Sequence, residues 1–256
     1  MVSSLSCAAI KKMVKYMKKT IGILGGMGPD ATVNLLDLLV KWTAIEKDQD
    51  HIPTITYSNS QIPDRTAFIL GNGQSPLPEL IKSATLLEKA GADLILIPCI
   101  TAHFFYDDIF KEIRIPFVHA IEEVLLYVQT LPIKTKRIGL IATTGTIQSG
   151  LFSSFFKKYG LEIIAPDEER QQLVMNAIYG EKGIKCGFKE EPKILLNQVL
   201  SYLISQKIDA IIGGCSEIPL LLNQRDMEIP FVDPMLILAR SAIVKAGGRL
   251  KTTPIT

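Results

Sequence analysis

The chain has 256 residues, 47% of them hydrophobic and 21% charged, which is enough to bury one large core or two smaller ones and is unlike a disordered chain. A formal net charge of +2 makes no electrostatic case for nucleic acid, and no stretch approaches the roughly 18 consecutive apolar residues of a membrane helix. In residues 1–19 a brief apolar patch precedes the lysines, the reverse of a secretory signal, so this stretch reads as an extension of a cytoplasmic protein.

The first predicted strand is Thr20–Gly25, and Gly25–Pro29 is a tight glycine loop into a helix over Ala31–Ile45 that starts at Pro29 or Asp30. Thr54–Asn59 reads as a second strand. Gln61–Leu70 begins as a loop and turns helical after Asp64, a good cap. After a turn-rich Gly71–Pro78, a helix over Glu79–Ala90 ends at Gly91, which suits a left-handed C-terminal position. Leu94–Pro98 is a strand, followed by a helix near Phe104–Lys111, a short strand Ile115–His119 and a helix Ala120–Gln129.

The pattern restarts near Leu131–Thr135. Strand Arg137–Ala142 leads through Thr143–Thr146 into a helix over Ile147–Tyr159, then strand Leu161–Ala165 and helix Glu168–Tyr179. Gly180–Gly187 is a loop, Pro192–Gln206 a helix, Ile208–Gly213 a strand, Pro230–Val232 a short strand and Met235–Ala246 a closing helix. Strands alternating with helices indicate parallel βαβ units.

The restart is a repeat. TIGILGGMG at Thr20–Gly28 is echoed by RIGLIATTG at Arg137–Gly145, with Gly22 and Gly139 standing 117 positions apart. Cys99 and Cys215 stand 116 apart, and IRIPFVHA at Ile113–Ala120 returns as MEIPFVDP at Met227–Pro234 with its first prolines 114 apart. The expected architecture is therefore α/β, with two similar doubly wound domains related by a pseudo-two-fold and a site in the cleft between them. Residues 20–130 form the first half, with the C-terminal helix 235–246 as a candidate to complete it, and residues 131–234 form the second.

Cys99 and Cys215 each follow a buried strand, where open α/β sheets bind ligands, and each precedes a helix start whose N–H groups favour a thiolate. Free cysteine is often only a small buried hydrophobe. The matched places of these two in the repeat favour chemistry instead. Two thiols on opposite sides of a substrate-sized cleft are too far apart for redox exchange, but they suit an acid and a base on opposite faces of one carbon. A thiol with an ordinary pKa near 8.5 needs only a modest shift for that task. The residues thus suggest a racemase or epimerase acting beside a carboxylate.

The other candidates are less specific. Cys7 and Cys186 have no counterpart in the repeat, and the four cysteines show neither a C-x-x-C pair nor zinc spacing. GILGGMGP is not the G-x-G-x-x-G of dinucleotide sites, so no nucleotide cofactor is expected, and three histidines without metal spacing give no metal site. His103 lies four residues after Cys99 and either approaches the thiol or packs. Glu217 either caps a helix or relays protons beside Cys215. Arg65 and Lys185 either touch ligand or serve as a surface ion pair and a solvated lysine.

At these residues the chain resembles the aspartate/glutamate racemase family, in particular its cofactor-independent aspartate racemases and broad-specificity amino-acid racemases. The resemblance runs from about Lys19 to Ala246 and rests on GILGGMGPDAT at Gly22–Thr32, IPDRTAFIL at Ile62–Leu70, PCITAH at Pro98–His103 and GGCSEIPL at Gly213–Leu220. It implies that Cys99 and Cys215 are the two catalytic bases and that Arg65 and Lys185 grip an acidic side chain. Thr101, Ser216 and Met27 then join the substrate-binding set, and His103 and Glu217 are auxiliary. It further implies a homodimer with neither PLP nor metal. Ile100 departs from the usual Pro-Cys-Asn-Thr and removes an amide that can hydrogen-bond substrate, so Ile100→Asn is expected to raise turnover unless packing opposes it. Hydantoin racemases and maleate isomerases are related alternatives. The rival of another class is an amino-acid-binding protein without catalysis.

Overall fold

A computed structural model describes residues 18–131 and 135–252 of the chain, so the extension expected over 1–19 lies outside the described residues as far as Met17. Two parallel sheets carry the fold. The first contains β1 (Ile21–Gly25), β2 (Thr54–Ser58) and β3 (Leu94–Leu96) in the order β2-β1-β3, with Ile21 aligned on both Thr54 and Leu94. The second contains β4 (Arg137–Ile141), β5 (Glu162–Ile164), β6 (Ala210–Gly213) and β7 (Phe231–Val232) in the order β5-β4-β6-β7. A single parallel bridge from Ile95 to Phe117 stands where β7 stands in the second sheet. The strand expected over Ile115–His119 is thus reduced to one paired residue, and the two sheets share one strand order.

The likeness reaches single hydrogen bonds. Asp93, before β3, accepts from Thr20 N at 2.7 Å, and Asp209, before β6, accepts from Lys136 N and Arg137 N, each at 2.8 Å. Each aspartate ties the start of its half's central strand to the strand beside it. Gly91 takes a left-handed φ of 96°, and its counterpart 116 positions on is Lys207, which takes φ 58° without being glycine.

Ten helices are described: α1 (Pro29–Trp42), α2 (Arg65–Ile69), α3 (Leu77–Lys89), α4 (Tyr106–Phe110), α5 (Ala120–Val128), α6 (Thr144–Gln148), α7 (Ser153–Lys157), α8 (Glu168–Tyr179), α9 (Glu190–Ser205) and α10 (Pro234–Lys245). Pro29 opens α1 at a position where its missing N–H is harmless. Asp64, Asp167 and Asp233 cap α2, α8 and α10 through backbone N–H groups. Among the described residues no helix is long and apolar enough to cross a membrane. The single helix expected over Ile147–Tyr159 is two, because the apolar spacing runs on while Gly150, at φ 70°, turns the chain between α6 and α7. Near Phe104–Lys111 a 3-10 turn over Ile100–Phe105 precedes the short α4.

Strand alternation distributes the core. Ile21, Ile23, Leu94, Leu96, Ile138, Leu140 and Ile212 face one cluster shared by both halves, which also takes in residues of α1, α5 and α10. Leu24, Ile95 and Ile97 face a second cluster against α3, while Ile141 and Ile211 face a third against α8 and α9. Helix α10 follows the second sheet in sequence, yet it packs on α1 and α5 of the first half. The halves therefore meet through common apolar burial, which fixes the loops at their facing sheet ends.

Candidate active site

In each sheet the chain leaves the central strand in one direction and returns on its other side. The loops after β1 and β3, and after β4 and β6, therefore part at a switch point. These four loops carry Met27, Cys99, Thr143 and Cys215, and all four line one narrow cavity between the halves. Gly26 makes the first loop feasible. Its φ is 95°, and a Cβ there would stand 2.3 Å from the carbonyl carbon of Asn59.

Arg65, Thr66, Ile100 and Thr101 line the first-half side of the cavity, and Tyr179, Lys185, Ser216 and Glu217 the second. Both cysteines are buried, and the space between the walls holds little more than a water molecule. Threonines close the junction: Thr66 Oγ1 donates to Thr143 Oγ1 at 3.2 Å, and Thr101 Oγ1 pairs with Thr146 Oγ1 at 2.8 Å. Tyr179 reaches across from the end of α8 and donates to Asp64 Oδ2 at 3.2 Å, while the other Asp64 oxygen caps α2.

The two thiols have unlike surroundings. Cys215 Sγ donates to Glu217 Oε2 at 2.8 Å. Ser216 Oγ donates to the same oxygen at 3.0 Å, and Lys185 Nζ meets Glu217 Oε1 at 2.8 Å. Burial pushes the Cys215 thiol well above its ordinary pKa, the Glu217 carboxylate adds to the push, and Lys185 opposes both. Burial works against ionising Glu217, but the Lys185 charge and the hydrogen bonds from Cys215, Lys185 and Ser216 hold its carboxyl below the usual range. Lys185 is likewise disfavoured by burial and is held above its ordinary value by Glu217 and then Cys215.

Cys99 instead meets a cation. Arg65 is buried, donates through Nη1 to the carbonyls of Ile62 and Pro63, and lines the same cavity as Cys99. Burial disfavours its charge, and Cys99 and Asp64 restore it. Its Nε is buried with no protein partner, which leaves one donor for a ligand. Burial first, then the neighbouring Cys215 and Asp64, raise Tyr179 and keep it a neutral phenol.

His103 is not part of the cavity lining. Its Nε2 lies 3.2 Å from the Ile97 carbonyl, its ring packs against Phe117 and His119, and burial with the neighbouring His119 lowers it to about 3. It is a neutral packing residue, because the 3-10 turn after Cys99 directs position 103 into the core rather than along an α-helical face. Glu217 does not cap the turn Ile218–Leu220. Sequence reasoning missed Thr66, Thr143 and Tyr179. The repeat carried a signal for Thr143, which stands 117 positions after Gly26 on the matching loop, but nothing local marked Tyr179. Among the described residues no three His, Cys, Asp or Glu side chains converge so as to hold a metal ion.

A family profile described as Asp/Glu/Hydantoin racemase matches residues 24–242. The broad specificity amino-acid racemase RacX of Bacillus subtilis (strain 168) is 31% identical over 229 residues, covering 87% of this chain and 96% of that protein. The solved aspartate racemase of Picrophilus torridus superposes with a TM-score of 0.80 at 30% identity, over 91% of this chain and 96% of that one. The glutamate racemase of Francisella tularensis subsp. tularensis SCHU S4, in complex with D-glutamate, shares the fold with a TM-score of 0.62 at 20% identity, over 92% of this chain and 84% of that one. With its paired sheets, matched cysteine loops and this profile over most of its length, the chain belongs to the Asp/Glu/hydantoin racemase family.

Proposed function

We propose that the protein is a cofactor-independent amino-acid racemase, an isomerase that moves the α-proton of aspartate or glutamate between the thiols of Cys99 and Cys215. The observation that carries this reading is that equivalent loops of the two halves bring both cysteines to one buried cavity. One thiolate removes the α-proton, the electron pair spreads into the α-carboxylate, and the opposite thiol protonates the other face. The acidic substrate class is supported by the unpartnered Nε of Arg65 and by the second cation, Lys185, in the same cavity. Lys185 shares its charge with Glu217, so a substrate carboxylate must compete for it or settle on Arg65. Thr101, Ser216 and Met27 complete the proposed substrate wall. The closed cavity requires the Tyr179 wall or the threonine junction to part before substrate enters.

Family membership is also the ground for expecting a homodimer, and the cytoplasm is the proposed site of action. The packing of α10 on α1 and α5 supports assigning that helix to the first half, with the second half beginning near residue 131. Incubation with single enantiomers of the common amino acids in deuterated water, read by chiral chromatography and α-deuterium content, tests the reading. Racemisation with α-exchange is expected, strongest on aspartate or glutamate. Cys99→Ser and Cys215→Ser should each abolish racemisation while keeping the fold, with α-exchange of one enantiomer surviving. Full turnover by either variant rejects the two-thiol mechanism, and affinity without any exchange by the unmodified protein identifies a binding protein instead.

A further inference from the structure

The repeat breaks its symmetry at one chemically decisive position. Thr101 follows Cys99 by two residues, and Glu217 follows Cys215 by two. The threonine hydroxyl turns away to Thr146, whereas the glutamate carboxylate turns back onto the thiol beside it. Three donors meet its two oxygens: Lys185 Nζ on one, Cys215 Sγ and Ser216 Oγ on the other. The Lys185 ammonium and the Ser216 hydroxyl favour the charged form of Glu217, which then accepts the hydrogen bond from the Cys215 thiol.

We infer that Glu217 sets the order in which the two thiols act, holding Cys215 as the thiol that donates a proton in the resting enzyme and leaving Cys99, beside the Arg65 guanidinium, to take the first α-proton. The inference rests on the proposed two-thiol racemase reading and adds a direction to it. In the first half-cycle the Cα–H bond breaks and an S–H bond forms on Cys99. The electron pair stays on the substrate, and the Cys215 S–H bond breaks as its proton joins the opposite face of Cα. The enzyme is left with a Cys99 thiol and a Cys215 thiolate, and proton exchange with solvent returns it to the resting form. The groups facing Cys215 are Glu217 and Ser216 on its own loop, Lys185 from the Gly180–Gly187 loop, Tyr179 from α8, and Cys99 and Arg65 across the cavity. Lys185 favours a thiolate, but Glu217 Oε1 neutralises it at 2.8 Å. Glu217 is thus a positioning residue that acts through Cys215.

The test is a pH titration of thiolate absorbance near 240 nm in Cys99→Ser, with the trace of the Cys99→Ser/Cys215→Ser double variant subtracted to remove Cys186 and Cys7. Cys215 should titrate above the ordinary thiol value of about 8.5. Adding Glu217→Gln should lower that midpoint by about 1–3 pH units, the usual effect of a charge this close. In the enzyme with both cysteines, Glu217→Gln should move the alkaline limb of the kcat/KM profile downward, whereas a merely structural role would lower the whole profile without moving a limb. A Cys215 midpoint at or below about 8.5 in Cys99→Ser overturns the inference even if Glu217→Gln fails to fold. So does a shift confined to the acid limb, which would make Cys215 the resting base. Racemisation by the unmodified enzyme together with either result sinks the ordering alone. Absence of racemisation in the unmodified enzyme sinks the reading beneath it as well.

Discussion

Replacing Lys185 by methionine probes the buried charge pair with little change in packing, because the methylene stem remains beside the Tyr179 ring, whose centroid lies 5.4 Å from Nζ. The Lys185 side chain is 23% exposed and that of Glu217 only 4%, so the variant strands a carboxylate with no cation at hydrogen-bond distance. Breaking one partner from such a pair costs about 3–5 kcal/mol. At about 2–4 °C per kcal/mol for a chain of this size, the melting temperature should fall by roughly 6–20 °C near pH 8. The sign of the pH dependence follows from Glu217. In the unmodified protein its folded pKa is depressed, so its contribution is complete above the unfolded value and lost as pH falls through the folded one. In the variant, burial raises the folded pKa above the unfolded value of about 4.3, so stability returns as the acid takes up a proton. The gap between the two proteins should therefore be widest near pH 8 and narrow on acidification. Thermal or urea melts at pH 8, 6 and 4.5 measure it. A destabilisation that is constant across that range, or below about 1 kcal/mol at pH 8, refutes the picture of a buried, mutually dependent pair.

Arg65→Ala should cost aspartate and glutamate roughly 10- to 150-fold in kcat/KM, from about 1.5–3 kcal/mol of charge-assisted hydrogen bonding, and cost alanine or serine far less. Equal losses would make Arg65 structural. Ile100 is 1% exposed and packs in the shared core as well as against the cavity, so packing decides the effect of Ile100→Asn. The variant should lose roughly 2–6 kcal/mol through lost apolar burial and an unpaired amide, with no gain in turnover, and a variant that melts normally and racemises faster would contradict this. Lys207→Gly should stabilise by about 0.5–1 kcal/mol, because relief of the left-handed strain at φ 58° outweighs glycine's extra freedom in the unfolded chain. An unchanged melting temperature would mean the lysine is not strained there.

Much of this protein was legible in its residue order. Apolar runs between glycine loops place strands and helices, and copies of whole segments at one spacing reveal two halves before any contact is known. The same copies pair Cys99 with Cys215 and point to the sheet ends where a site forms. These features are local or periodic, and a linear sequence records such features directly. Where local pattern was ambiguous it misled. The apolar spacing through Ile147–Tyr159 does not register the turn at Gly150, and the β-rich Ile115–His119 cannot tell how few of its residues find a partner.

Only the tertiary structure decided which side chains share the cavity and on what terms. Tyr179 meets Asp64 across 115 positions and Lys185 meets Glu217 across 32, distances over which sequence carries no preference for one partner. Those pairings follow from the shared apolar cluster and from α10 crossing back onto α1 and α5, which set the two sheet ends face to face. The 3-10 turn after Cys99 sends His103 into the core, and the turn after Cys215 keeps Glu217 at the thiol. Residue types thus supplied two similar thiols, and the packing of the halves placed one against a guanidinium and the other against a carboxylate.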